Sequence, residues 1–175
     1  MKKKITAYEI ALSALACAMA TVLLTIGIYS ELLLFTGYLF GAIALMLPLA
    51  KQSYLGYALA YVGTSLLSLL LNPARIFDLL PFVCFFGLHP LINELQLKSK
   101  INKWIACALK ALWFDITMYL VWFFLFDAAL DIPIDPKYIL PIILVLGSAF
   151  FVFYDYAMYK WRYAVNMLVK RIKKK

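Results

Sequence analysis

Six runs of apolar residues follow one another along the chain, each close to the length of about 20 residues that a helix needs to cross a bilayer. They are roughly Glu9–Ile28, Glu31–Leu49, Tyr54–Leu71, Pro73 to about Leu95, Trp104–Phe126, and Tyr138 to about Lys160. The polar stretches between them are too short to build a water-soluble domain. Hydrocarbon offers no partner to a bare N–H or C=O, so each run must satisfy its own backbone as a helix. At 66% hydrophobic and 15% charged, the composition lies well beyond the apolar share of about half found in soluble domains. The prediction is an all-α integral membrane bundle of six transmembrane helices, a single domain over 1–175, with a basic cytoplasmic tail at 161–175. The opening MKKKITAYEIALSALACAMATVLL has the order of a secretory signal. Its apolar run continues from Ile10 to Ile28 with no polar break, which reads as a retained span.

Basic residues set the expected orientation. With the amino terminus inside, the outer segments hold only Arg75 and Lys137, and Lys110 lies within a helix; every other Lys and Arg falls on an inner segment. Glu31, Asp78, Asp127, Asp131 and Asp135 fall outside. This asymmetry places both termini in the cytoplasm of a multi-pass cell-membrane protein. The net charge of +8 is then a topology signal, not a nucleic-acid footprint, and the tail Trp161–Lys175 is expected to lie against anionic lipid.

Polar groups inside spans are costly, so those that persist are the candidates for chemistry. The fourth run, NPARIFDLLPFVCFFGLHPLINE, is the richest. Its Asn72-Pro73-Ala74-Arg75 matches the pore motif of aquaporins, but such channels need two copies in inverted halves. The plain reading is a helix start with Asn72 at the cap and Pro73 in the first turn. Arg75 and Asp78 stand at the outer mouth, where they can pair or present charge to a solute. Gly87 and Pro90 invite a kink. His89 and Asn93, four apart, share a face of the inner half and read as structural polar residues.

Helix five carries Lys110, whose stem can reach the inner interface, and Asp115 near mid-membrane. Asp115 needs a partner; His89, Asn93 and Lys110 are the candidates. Tyr119, Trp122 and Phe123 share its face and form either a wall for a flat ring or an interfacial aromatic belt. Asp155 in helix six is expected to meet Tyr159 or Lys160 locally. Cys17, Cys84 and Cys107 lie in apolar runs without metal-ligand spacing and read as small hydrophobes. With no nucleophile–base pair, phosphate loop or ligand cluster, no enzyme, metal or cofactor is expected.

On helix one, ALSALACAMA sets Ala14 and Ala18 four apart, a small-x-x-x-small pair that admits close approach of another helix, within the bundle or from a partner. With this motif, the six helices and the inside termini, the chain resembles a substrate-binding S-component of an energy-coupling factor (ECF) vitamin transporter. The resemblance implies docking through Ala14 and Ala18 on a transmembrane coupling subunit driven by two cytoplasmic ATPases. It also implies a pocket for a small vitamin-like solute lined by the outer parts of helices four to six, here Arg75, Asp78, Asp115, Tyr119 and Trp122. The covering loop that often follows helix one in that family has only Tyr29-Ser30 as its counterpart. The alternative is a non-transport scaffold of cell-envelope assembly, with Asp115 as a buried structural pair.

Overall fold

A computed structural model of the protein describes residues 5–125 and 136–172, which form helices and connecting turns without a strand among them. Helix α1 (Ala7–Tyr29) begins two residues before the expected start because Thr6 and Glu9 form a reciprocal cap. The Glu9 amide donates to Thr6 Oγ1 at 3.2 Å, and the Thr6 amide donates to Glu9 Oε2 at 2.8 Å. A short 3₁₀ turn, Glu31–Leu33, leads into α2 (Leu34–Leu49). Gln52, in the left-handed region at φ 55°, then reverses the chain, with the Ser53 amide bonded back to Pro48 and that of Gln52 to Leu49. Helix α3 (Tyr54–Leu71) has the bounds the sequence predicts.

The fourth expected helix is broken. A 3₁₀ segment, Pro73–Leu79, is followed by a π-helical segment, Phe82–Phe86, and then by α4 (His89–Lys98). The axis turns by 46° between Leu79 and Phe82, beside Pro81. Pro90 falls in the first turn of α4, where a missing N–H costs nothing, so the sharp bend belongs to Pro81. Helix α5 (Lys103–Leu125) is unbroken. The last run comprises α6 (Pro136–Ile142), a π-helical segment Ile143–Gly147, and α7 (Ser148–Ile172). The basic stretch continues the same helix: α7 runs on without interruption to Ile172, and Val169 on its far half is buried. The expected polar loop Asp127–Lys137 lies almost wholly outside the described residues, as do Lys2, Lys3, Lys4 and residues 173–175.

Among the described residues four helices are long and apolar enough to cross a membrane, and the bent pair around Pro81 adds a fifth if it is counted as one span. Helix α2, at 16 residues, measures about 24 Å, short of the roughly 30 Å hydrocarbon layer. It is also the most enclosed element: Gly41 through Leu49 are all buried, against α1, α3, α4 and α7. A helix apolar all round suits that central position. Against α1 it packs backbone to backbone, since a Cβ on Gly37 would lie 2.9 Å from the Leu23 carbonyl oxygen and 3.1 Å from Gly27 Cα. The outer surface carries large apolar side chains such as Val22, Leu70, Val145 and Phe153, a surface that suits lipid contact.

Candidate functional site

Breaking a helix frees carbonyls that hydrocarbon cannot satisfy, and three tyrosines answer along the fourth segment. Tyr38 donates its hydroxyl to the Asp78 carbonyl, Tyr61 to that of Val83 at 2.6 Å, and Tyr57 to that of Gly87. Tyr57 is fully buried, so its hydroxyl has no water to return to. Between these supports Phe85 forms an aromatic hub, its ring centroid 4.7 Å from that of Trp113, 5.0 Å from Phe114 and 5.2 Å from His89.

Just inward of this hub the structure gathers all four residues expected to be structural polar groups. Lys110 Nζ donates to Asn93 Oδ1 at 2.7 Å and to the two oxygens of Asp155 at 2.7 and 2.8 Å. His89 Nε2 lies 3.0 Å from Asp155 Oδ1, but neither ring nitrogen makes an aligned hydrogen bond. The contact is one of proximity, since a hydrogen bond weakens steeply with misalignment. Two local expectations are corrected. Lys110 does not extend to the interface; its ammonium turns inward, because a carboxylate and an amide converge on it there. Asp155 reaches across to α5 and α4, not along its own helix to Tyr159 or Lys160. One turn away Arg162 Nε donates to Glu94 Oε2 at 2.6 Å, with the Glu94 side chain only 4% exposed. The acidic and basic members sit on different helices, so no spacing in the sequence marks either pair.

Asp115 is not part of that cluster. Its Oδ2 accepts from Ser148 Oγ at 2.7 Å, while Oδ1 is buried and has no hydrogen-bond partner. Gly147 leaves the room for it, since a Cβ there would stand 2.9 Å from Oδ1. The expected partners His89, Asn93 and Lys110 are thus replaced by a hydroxyl at the end of the second π-helical segment, a kind of irregularity that recurs at functional sites. Tyr119 and Trp122 lie one turn apart with ring centroids at 5.9 Å. Tyr119 and Phe123 are exposed and Trp122 half-buried, so this aromatic stretch flanks Asp115 at the bundle surface without enclosing it.

At the carboxyl end of α1 Arg75 donates from a guanidinium nitrogen to the Ile28 carbonyl at 2.7 Å, placing a cation where the helix dipole favours it. Asp78 is half-buried two turns from α3. Asn72 stands at the N-cap position with Pro73 after it, as expected, but its side chain makes no capping bond. Its Nδ2 donates to the Ser68 carbonyl at 2.8 Å and to Thr25 Oγ1 at 3.3 Å, so it closes α3 against α1. It belongs to a buried polar seam between these helices, where Thr64 donates to the Cys17 carbonyl at 3.5 Å. The 4-residue rhythm of Cys17, Thr21 and Thr25 against Thr64, Ser68 and Asn72 is the sequence signal for that seam. Ala16 and Ala20 are fully buried in the bundle, whereas Ala14 and Ala18 are exposed on the outward face of α1.

No group of three or more His, Cys, Asp or Glu side chains able to hold a metal occurs among the described residues. No protein-family model matches the chain, and searches of curated proteins and of solved structures find no match either.

Proposed function

We propose that the chain is a six-span membrane protein with both termini in the cytoplasm, acting as the solute-binding subunit of an ECF-type importer for a small vitamin-like molecule. The observation that carries this reading is Asp115, a buried carboxylate with one oxygen held by Ser148 and the other unpartnered, flanked by Tyr119 and Trp122. A buried charge inside a span is retained at a cost and calls for a donor. A ring-bearing solute with an N–H or O–H would supply that donor and stack on the aromatics, with Arg75 and Asp78 at the mouth. The outward Ala14 and Ala18 suit close approach by a coupling subunit. Energy would come from cytoplasmic ATPases bound to that subunit, since the reading gives this chain no nucleotide site.

The test has two arms. Asp115→Asn is expected to abolish solute retention in native mass spectrometry of the purified protein. Replacing Ala14 and Ala18 together by Leu is expected to end co-purification with a transmembrane coupling protein. Retained association in the second arm would remove the docking assignment. A second reading, a non-transport scaffold, is favoured by the internal pairing of Lys110 with Asp155 and of Glu94 with Arg162, which fixes helices to one another. On that reading Asp115→Asn lowers thermal stability and changes no uptake.

A further inference from the structure

Where α4, α5 and α7 diverge, beyond the Lys110–Asp155 pair, they leave a half-open groove of about 440 Å³. Its base is that ion pair. One wall is apolar, with Leu97, Cys107 and Val152, while Gln96, Tyr156 and Tyr159 bring amide and hydroxyl groups to its rim and Lys103 stands at the mouth. A second cation overlooks it, for Lys160 Nζ lies 5.4 Å from the centroid of the Tyr156 ring. Both lysines are exposed. The carboxylate within the groove does not offset them, because Asp155 is already neutralised by Lys110 at 2.7 and 2.8 Å. Helix α5 also begins at Lys103, so its amino end adds positive potential there, although the Trp104 amide is already taken by Asn102 Oδ1 at 2.9 Å.

A groove with an apolar wall and an uncompensated cationic rim matches one kind of molecule, an amphiphile with an anionic head. We propose that this groove binds an anionic phospholipid from the leaflet at this end of the bundle. The phosphate sits against Lys103, Lys160 and the tyrosine hydroxyls, and the start of an acyl chain lies along Leu97, Cys107 and Val152. The inference rests on the bilayer setting proposed above but not on solute transport, and its test does not use the solute.

The purified full chain in detergent is titrated with phosphatidylglycerol or phosphatidylcholine and the bound lipid counted by native mass spectrometry. Phosphatidylglycerol is expected to be retained over phosphatidylcholine, and Lys103→Gln with Lys160→Gln to lower its retention on the order of tenfold. Val152→Trp, which fills the apolar wall from an exposed position, is expected to lower it as well. Lys170→Gln with Arg171→Gln, exposed in the last turn of α7 and outside the groove, is expected to leave it unchanged. Equal retention of both lipids overturns the proposal, as does undiminished binding to the Lys103/Lys160 double variant. Equal loss in the Lys170/Arg171 variant overturns it in favour of a diffuse basic surface. Displacement of the lipid by soluble glycerol phosphate at equal concentration would assign the groove to a free phosphate compound instead.

Discussion

The two halves of the chain solve the problem of polar groups inside a helical bundle differently. Along the α1–α3 seam the polar groups are neutral and short: Thr64 and Asn72 donate to backbone carbonyls and Thr25 accepts from Asn72, while the buried hydroxyls of Thr21 and Ser68 have no hydrogen-bond partner. In the second half they are charged and long, and Lys110, Asp155, Glu94 and Arg162 find partners on other helices. Neutral seams ask for small residues and straight helices. Charged cores ask for space, which the breaks at Pro81 and before Ser148 provide, and for aromatic packing that keeps other polar groups away. The charged groups themselves stand on the regular helices α4, α5 and α7, so the difference teaches that ion pairs join helices far apart in sequence, whereas hydroxyls serve two helices in close contact.

The comparison breaks most severely at Lys110. Lys110→Met leaves Asp155 and Asn93 facing each other without the ammonium, and about 3–5 kcal/mol of stability is expected to go. Adding Asp155→Leu should restore most of it, and melting of the detergent-solubilised protein measures both. A return to wild-type stability in the single variant would show the pair to be idle. The neutral half responds to volume instead. Gly37→Ala places a Cβ 2.9 Å from a backbone oxygen that cannot move aside, for an expected loss of about 1–3 kcal/mol by the same assay. Tyr57→Phe sharpens the role of the breaks, since the Gly87 carbonyl is left buried and bare at about 1–3 kcal/mol, while the isosteric ring keeps the packing. Ser68→Ala, by contrast, removes a buried hydroxyl that has no partner and is expected to be neutral within about 0.5 kcal/mol. A large loss there would mean that the neutral seam depends on bonds that geometry does not reveal. One variant is expected to gain: Gln52→Gly relieves a left-handed backbone at the α2–α3 turn and is expected to raise stability by up to about 1 kcal/mol.

Most helix positions were legible because apolar run length is a one-dimensional quantity. α3 falls where Tyr54–Leu71 was expected, and α1 and α5 differ by a residue or two at their ends. What could not be read along the chain was pairing across it. Lys110 and Asp155 are 45 residues apart, and Glu94 and Arg162 are 68 apart, so intrahelical spacing pointed Asp155 to the wrong neighbours and gave no pairing for Glu94 or Arg162. Pro90 looked like the kink, yet the break sits at Pro81, since a proline in a helix's first turn is accommodated without strain. His89, Asn93, Lys110 and Asp155 were each legible as polar groups with a structural use; only the fold could make them one group.

The three contacts that tie the end of α1 to α3 and its continuation, from Thr64 to Cys17, Asn72 to Thr25 and Arg75 to Ile28, all join residues 47 positions apart. A constant offset means the two helices run in the same direction and in step, as two racks meshed tooth for tooth. Neither can slide or turn without disengaging every tooth at once. The segments outside such a mesh lie around Pro81 and before Ser148, where 3₁₀ and π-helical turns replace the regular α-helical ones.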